Sequence, residues 1–123
     1  MSLTPAQILY LHELALQYGG GFAGIRDLGL LESAVARAFQ TFNGEQLYST
    51  PLEQAAACAH SIVRNHPFFD GNKRTAFLVL GLWLQSEGYD FRPPFSEAVA
   101  CFEEIALGKV SPAGLAEWAS KWC

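Results

Sequence analysis

The sequence contains few basic residues, and this scarcity limits the partners that the protein can bind. Lysine and arginine together number 8 of 123 residues, the formal net charge is −4, and the pI is near 5.2. A surface that follows a nucleic-acid backbone needs many spread lysines and arginines. We therefore expect no direct binding of nucleic acid, and any basic patch has to be local.

Cysteine pairs and long apolar runs are also missing. Cys58, Cys101 and Cys123 form no CxxC pair and no metal-type spacing, which argues against a disulfide framework and a zinc site. The N-terminal stretch MSLTPAQ has no basic region and no apolar region typical of a leader. The apolar run after Thr75 is shorter than the roughly 20 residues of a membrane span. We expect a soluble cytoplasmic protein that makes no contact with membranes, with Cys58 and Cys101 in its core.

Start and stop signals divide the chain into helices. Thr4, Asp27, Thr50 and Ser111 are predicted N-caps, and three of them precede a proline that is typical of a first helical turn. The run over residues 76–84 predicts a helix that is buried on all sides. No repeat, low-complexity tract or second domain is found. We expect an all-α fold, a compact single-domain bundle of about six helices over residues 1–123.

Three stretches are predicted to lack helix. Residues 19–29 are rich in glycine, but they have no GxGxxG or Walker spacing and are interpreted as a plain loop. Residues 43–50 are interpreted as a polar linker that could move and flank a substrate. Two prolines exclude helix over residues 89–94, where a short hairpin remains an alternative.

The stretch HPFFDGNKRTAF, residues 66–77, joins two predicted helices through a glycine-containing loop. Unpaired N–H groups and the positive end of the dipole make a helix N-terminus an anion site. Lys73 and Arg74 lie in that first turn, where each cation opposes the dipole by about 0.3–1 kcal/mol. The arrangement is unfavourable unless an anion such as phosphate binds, so the loop predicts a phosphate site.

The other side chains of this loop agree with phosphate chemistry. His66 could accept a proton from an incoming hydroxyl, since imidazole is a common general base. Asp70 could hold Mg²⁺ through its carboxylate, or it could merely cap the helix. Gly71 and Asn72 could form the turn that approaches the anion, and Phe68 is expected to anchor the loop in the core.

Outside the loop, three side chains are considered. Arg64 and His60 lie one turn apart on the same face of the preceding helix. This face is interpreted either as a partly solvated edge of the helix or as a support beside the loop, and both interpretations stay open. Arg64 is the better candidate and is assigned to nucleotide binding. His12 is expected to be a satisfied, half-buried histidine outside the site.

The motif HPFFDGNKRTA resembles the signature of Fic-fold proteins, specifically the death-on-curing (Doc) toxin branch. The flanking stretches YGG and GIRDLGLLESAVAR are similar to that branch as well, whereas the C-terminal part matches least. The resemblance implies a toxin that uses ATP and Mg²⁺ to phosphorylate a threonine of elongation factor Tu, which arrests translation. It also implies a cognate, Phd-like antitoxin with a disordered C-terminal segment that folds on binding.

The resemblance also implies a role for each loop residue. These roles are the base for His66, the Mg²⁺ ligand for Asp70, the anion-binding turn for Gly71 and Asn72, and phosphate contacts for Lys73 and Arg74.

The loop departs from the AMP-transferring Fic pattern HPFxxGNGRxxR at two positions. Lys73 replaces the second glycine, and Phe77 replaces the second arginine. Both changes disfavour AMP transfer and favour transfer of the γ-phosphate. Two alternatives stay open, namely a Fic-type AMP transferase and a catalytically silent helical binding module.

An inhibitory SxxxE helix followed by Gly or Asn, found in many Fic proteins, is absent from the sequence. Thr41 to Glu45 and Ser49 to Glu53 have the spacing, but glutamine follows each glutamate. We therefore expect inhibition by a separate partner, through an amphipathic helix in a groove near the loop.

Overall fold

The computed structural model of the chain describes residues 3–123, in which six helices form. The helices are α1 (Pro5–Gly19), α2 (Leu28–Arg37), α3 (Pro51–Asn65), α4 (Asn72–Ser86), α5 (Phe95–Ala106) and α6 (Pro112–Ser120). The described sheet consists of two short antiparallel strands, β1 (Thr41–Phe42) and β2 (Glu45–Gln46). The prediction of an all-α bundle is confirmed. The first two residues of the stretch MSLTPAQ lie outside the described residues.

The four predicted N-caps all act as caps. The side chains of Thr4, Asp27, Thr50 and Ser111 each accept a hydrogen bond from the backbone N–H three residues further on. Each bond satisfies one of the N–H groups that a helix start leaves unpaired. Local sequence signals therefore set the starts of α1, α2, α3 and α6.

The central helix of the bundle is α3. Residues 55–59 of α3 are four alanines and Cys58, and all are fully buried. These small side chains allow α2, α4 and α6 to pack closely around α3. The prediction that residues 76–84 are buried on all sides was wrong in part, because Leu82 of α4 is 41% exposed.

A β-hairpin over residues 41–46 overlaps the start of the predicted polar linker, residues 43–50. Thr41 pairs with Gln46, and Phe42 pairs with Glu45. The turn residues Asn43 and Gly44 have φ angles of 53° and 79°. Two left-handed residues between paired strands are typical of a type I′ turn, for which Asn-Gly is the preferred sequence. The correct signal was thus present in the sequence and was overlooked.

Aromatic side chains pack the C-terminal helices onto α4. Phe77 of α4 lies near Phe91 and Phe102, with ring centroids 6.0 and 5.7 Å apart. Both of these rings lie edge-on to Trp118 of α6. Residues 89–94 are free of helix, as predicted, and the hairpin considered for them does not form in the described chain.

The cysteines are free thiols, as expected from their spacing. Cys58 and Cys101 are buried, which confirms their assignment to the core, and Cys123 is exposed. Burial raises the pKa of the Cys58 thiol to about 12. This thiol is therefore protonated and inert at neutral pH.

None of the helices over residues 3–123 is long and apolar enough to cross a membrane.

Candidate active site

The loop between α3 and α4 begins and ends with left-handed residues. His66 ends α3 with φ and ψ of 52° and 59°, and Gly71 precedes α4 with φ of 77°. Within the described chain no side chain caps α4. The backbone N–H groups of its first three residues therefore have no helical partner, as in an anion-binding helix start.

A small cavity of about 170 Å³ lies at this start of α4. Six of the seven predicted site residues line it, together with Phe69; these six are His66, Asp70, Gly71, Asn72, Lys73 and Arg74. The structure thus brings the predicted base, carboxylate, turn and cations together around one space. The predicted roles themselves stay predictions.

The side chain of Asn72 fixes the shape of the loop. Its Oδ1 accepts a hydrogen bond from the Phe68 N–H at 3.1 Å, and its Nδ2 donates to the Phe68 carbonyl at 2.9 Å. These two bonds determine which end of the buried amide is oxygen. The Asn72 side chain therefore serves the turn itself, and its backbone N–H is the group that points toward an anion.

Asn72 also contacts the imidazole of His66. Nδ2 of Asn72 lies 3.3 Å from Nδ1 of His66. Because an amide nitrogen only donates, Nδ1 accepts, and the neutral ring carries its proton on Nε2. If His66 accepts the proton of a hydroxyl at Nδ1, the hydroxyl displaces this long contact with Asn72. If it accepts the proton at Nε2, the ring first has to move its own proton from Nε2 to Nδ1.

The carboxylate of Asp70 is held by two backbone N–H groups. Oδ2 accepts from Phe22 at 3.2 Å, and Oδ1 accepts from Gly71 at 2.8 Å. These bonds, together with the charge of Arg74, hold the pKa of Asp70 below its usual value. Asp70 is therefore ionised at neutral pH, and it does not provide the N-cap of α4, which is Gly71.

The glycine-rich loop before α2 reaches this site although it has no nucleotide-binding motif. Gly21 has φ of 123°, and a Cβ on it would lie 2.6 Å from Oδ2 of Asp70. Only glycine permits such a close approach together with a positive φ. The glycine content of residues 19–29 is thus partly explained by the need to reach the Asp70 carboxylate.

His12 lies beneath the loop. As predicted, it is a hydrogen-bonded histidine, because its Nε2–H donates to the Asp70 carbonyl at 2.8 Å, but it is buried and not half-buried. Its ring stacks on fully buried Phe68 at a centroid distance of 3.8 Å. Phe68 therefore anchors the loop as expected. His12 supports the site from below, a role that we had not assigned to it.

The two cations of the first turn of α4 differ in their contacts. Arg74 donates to the carbonyls of Ala15 at 2.8 Å and Gly20 at 2.6 Å, so it binds the C-terminal end of α1. The side chain of Lys73 makes no hydrogen bond or ion pair with any residue of the described chain and is exposed. Lys73 is therefore the cation with an uncommitted charge beside the cavity.

Arg64 does not line this cavity. Its Nη1 donates to the carbonyls of Ala106 at 2.7 Å and Ile105 at 3.4 Å, at the last turn of α5. A cation there satisfies orphan carbonyls and interacts favourably with the helix dipole. These contacts do not support its assignment to nucleotide binding. His60 likewise bonds away from the loop, through Nε2–H to the Val110 carbonyl at 2.7 Å.

An apolar groove of about 610 Å³ adjoins the loop between α1, α4 and α5. Its apolar lining includes Leu14, Tyr18, Phe77, Leu78, Phe95 and Val99. Tyr18 and Phe95 are 85% and 81% exposed, and with the other apolar side chains of the groove they form a contiguous exposed apolar surface, which is typical of an interaction site. Lys73 and Arg74 line both the groove and the loop cavity.

The sequence of the chain is similar to those of known proteins. A "Toxin Doc" from Mycolicibacterium smegmatis (strain ATCC 700084 / mc(2)155) is 41% identical over 76 residues, which cover 62% of this chain and 58% of that toxin. A "Protein kinase doc" from Escherichia phage P1 is 28% identical over 116 residues, which cover 94% of this chain and 90% of the kinase. The model of the Fic/DOC family matches residues 2–84, more than half of the sequence, and the chain therefore belongs to the Fic/DOC family.

Proposed function

We propose that the protein is the toxin of a toxin–antitoxin pair and acts as a protein kinase. In this proposal it transfers the γ-phosphate of ATP to a threonine hydroxyl of elongation factor Tu and thereby arrests translation. The observation that carries the proposal is the uncapped start of α4, with His66, Asp70 and Lys73 around one cavity. The names of the two relatives, a toxin and a protein kinase, support it.

The donor set of the cavity fits a magnesium ion that is shared with a nucleotide. Asp70 offers an ionised carboxylate, and Mg²⁺ typically takes one or two carboxylates plus phosphate oxygens and water. Within residues 3–123 no group of three His, Cys, Asp or Glu could hold a metal ion. The remaining ligands would therefore come from phosphate and water, and the bound ion would neutralise charge on the transferred group.

His66 and the cations have distinct roles in this proposal. His66 accepts the proton of the threonine hydroxyl as its oxygen forms a bond to the γ-phosphorus. The bond from that phosphorus to the bridging oxygen breaks, and ADP leaves. The first N–H groups of α4 and the Lys73 ammonium bind the phosphate oxygens, and Arg74 adds positive charge.

The surroundings of Phe77 favour phosphate transfer over AMP transfer. This position, where AMP-transferring proteins of the resemblance carry a second arginine, holds a ring packed against Phe91 and Phe102. An apolar ring cannot bind a terminal phosphate. The γ-phosphate therefore lacks the arginine that would bind it during AMP transfer. In this proposal it is the group that is transferred.

The test is a mass measurement on the target. After incubation with elongation factor Tu, ATP and Mg²⁺, we expect the factor to gain about 80 Da, the mass of one phosphoryl group. A gain of about 329 Da would instead support the AMP-transferase alternative. No gain with wild-type protein that arrests growth would contradict this target, and a protein that neither modifies a factor nor arrests growth would favour the silent binding module.

The apolar groove is proposed as the binding site of the antitoxin. Its two cations lie at the end nearest the loop, so an amphipathic helix with apolar and acidic residues would complement both features. We propose that this helix belongs to a Phd-like antitoxin and forms from its disordered C-terminal segment on binding.

A pair of matched variants tests the groove. Phe95→Glu places a charge in it, whereas Leu107→Glu changes an exposed apolar residue at the opposite end of α5 that does not line it. We expect Phe95→Glu to weaken antitoxin binding about tenfold or more, the size of a hot-spot loss, and Leu107→Glu to bind like wild type. Equal affinity of both variants would place the antitoxin elsewhere. Activation of an inert protein by deletion of its own terminal helix would show control within the chain.

A further inference from the structure

Arg26, two residues before α2, donates to three consecutive carbonyls around His66. Its Nε–H donates to the His66 carbonyl at 2.6 Å, and its Nη2–H donates to the Asn65 carbonyl at 2.7 Å. Its backbone N–H donates to the Pro67 carbonyl at 2.7 Å. Two guanidinium bonds to adjacent carbonyls form a planar fork that a lysine cannot reproduce.

These carbonyls belong to a strained part of the backbone. His66 is a non-glycine residue in the left-handed region, with φ of 52°. Such a conformation persists only where the surrounding structure holds it. The carbonyls of Asn65 and His66 also lie at the C-terminal end of α3, where they have no helical partner. Arg26 donates the hydrogen bonds that these two carbonyls lack in the helix, and the same bonds restrain the left-handed backbone of His66.

The segment around Arg26 reinforces this contact along the backbone. Asp27 N–H donates to the Pro67 carbonyl at 3.0 Å, and Ile25 pairs with Phe68 in an isolated antiparallel bridge. Phe69 N–H donates to the Gly24 carbonyl at 3.4 Å. The Arg26 side chain itself is exposed, so its fork is an addition to this pairing and the core does not depend on it.

We propose that Arg26 is a positioning residue for His66. It fixes the His66 backbone from one side, while Asn72 contacts the imidazole from the other. The backbone that carries the ring is then held in place before a substrate hydroxyl arrives. This inference rests on the proposed function, because it takes His66 as the proton acceptor.

The experiment compares Arg26→Ala and Arg26→Lys with Arg92→Ala, which removes an exposed arginine whose side chain pairs with Asp90. The first readout needs no activity. In ¹⁵N-resolved NMR spectra of the imidazoles, we expect the His66 ring signals of both Arg26 variants to broaden or double. The His60 signals should stay in place, since His60 bonds to Val110 on another face.

The second readout is the transfer rate. A shift of about 1 Å in a reacting group costs about 10²-fold in rate, so we expect such a loss of kcat in both Arg26 variants, with KM for ATP little changed. In a His66→Ala background, the Arg26 change should cause no further loss, because its effect passes through the imidazole.

The outcomes separate this inference from the proposed function. Unchanged His66 signals in the Arg26 variants, or a kcat equal to that of Arg92→Ala, would overturn the positioning role. Full transfer by His66→Ala would overturn the proposed base while the NMR comparison still reports on the Arg26 contact. Should Arg26→Ala fail to fold, Arg26→Lys retains a cation and carries the same test.

Discussion

The N-termini of α3 and α4 are built in opposite ways, although both helices have 15 residues. The α3 start has Thr50 as its N-cap, a proline in the first turn, and the acidic Glu53 near the positive end of the dipole. The α4 start has Gly71, no side-chain cap in the described chain, and two cations in its first turn. The cap, the proline and the acidic residue stabilise the start of α3, whereas the start of α4 leaves its backbone N–H groups without a side-chain partner, so that they can bind a ligand.

This difference shows that the start of α4, which lies at the candidate active site, is less stable by its local sequence than the start of α3. Glycine in place of a side-chain cap costs roughly a few tenths of a kcal/mol, and cations near a helix N-terminus cost about 0.3–1 kcal/mol each. The loop compensates through long-range contacts, chiefly Asn72 to the Phe68 backbone and His12 to the Asp70 carbonyl. The α4 start is held in place by its surroundings, whereas the α3 start is stable by its own sequence.

The largest expected effect comes from removing the imidazole beside α4. We expect His66→Ala to lower phosphoryl transfer by about 10²–10⁴-fold, the usual contribution of a general base. The side chain is exposed and makes one long contact, so folding should persist. Transfer is measured by the mass gain of elongation factor Tu over time, and folding is measured by circular dichroism.

His66→Gly is the matched control, because glycine adopts the left-handed region without strain. It should lose transfer like His66→Ala but be more stable than that variant by up to about 1 kcal/mol in urea unfolding. Retained transfer in both variants would remove His66 from the chemistry. A less stable His66→Gly would show that the left-handed backbone carries no strain.

The second effect tests the capped end. Thr50→Ala removes the side chain that accepts the Glu53 N–H at 3.2 Å, and we expect a loss of about 1 kcal/mol in the free energy of unfolding. Transfer should not change, since the α3 start does not line the loop cavity. A loss of activity in a folded Thr50→Ala protein would show that the two helix starts are not independent.

The third effect tests the uncapped end and should have the opposite sign. Lys73→Glu replaces a cation near the positive end of a dipole by an anion, so we expect a gain in stability of about 0.3–1 kcal/mol. The same change should reduce transfer, because the anion repels phosphate. Lys73→Gln removes the charge alone and should lie between wild type and Lys73→Glu in urea unfolding. A destabilised Lys73→Glu would show that the cation does not oppose the dipole here.

Features that depend on neighbouring residues could be predicted from the sequence. Each of the four side-chain caps lies three residues before the N–H it binds, so a local pattern reveals it. The site loop could be predicted for the same reason, since its lining residues fall within residues 66–74. The hairpin at Asn43 and Gly44 was equally local and could have been found.

Contacts between distant parts of the chain could not be predicted in this way. Arg26 is 40 residues from His66, and His12 is 58 residues from Asp70. Nothing in the local pattern shows that these side chains meet the loop. The contact of Arg64 with the end of α5 was hidden for the same reason, because Ala106 lies 42 residues further along the chain.

The smallest effect concerns how the stability of the α3 region depends on pH. Burial lowers the pKa of His60 below its usual value of 6.5, and the charges of Arg64 and Arg37 add to this, while the bond to the Val110 carbonyl raises it. Between the lowered folded value and 6.5 the unfolded chain binds more protons than the folded one. Stability therefore falls as pH drops through this window.

His60→Gln isolates this contribution, because its amide can still donate toward the Val110 carbonyl but does not titrate. His12 and His66 are present in both proteins, so their effects cancel in the comparison. We expect wild type to lose more stability than His60→Gln between about pH 7.5 and about pH 5.5 in urea unfolding, by a small amount since His60 is only half-buried. Parallel losses in the two proteins would mean that the pH dependence arises elsewhere. A larger loss in the variant would reverse the assigned direction of the His60 pKa.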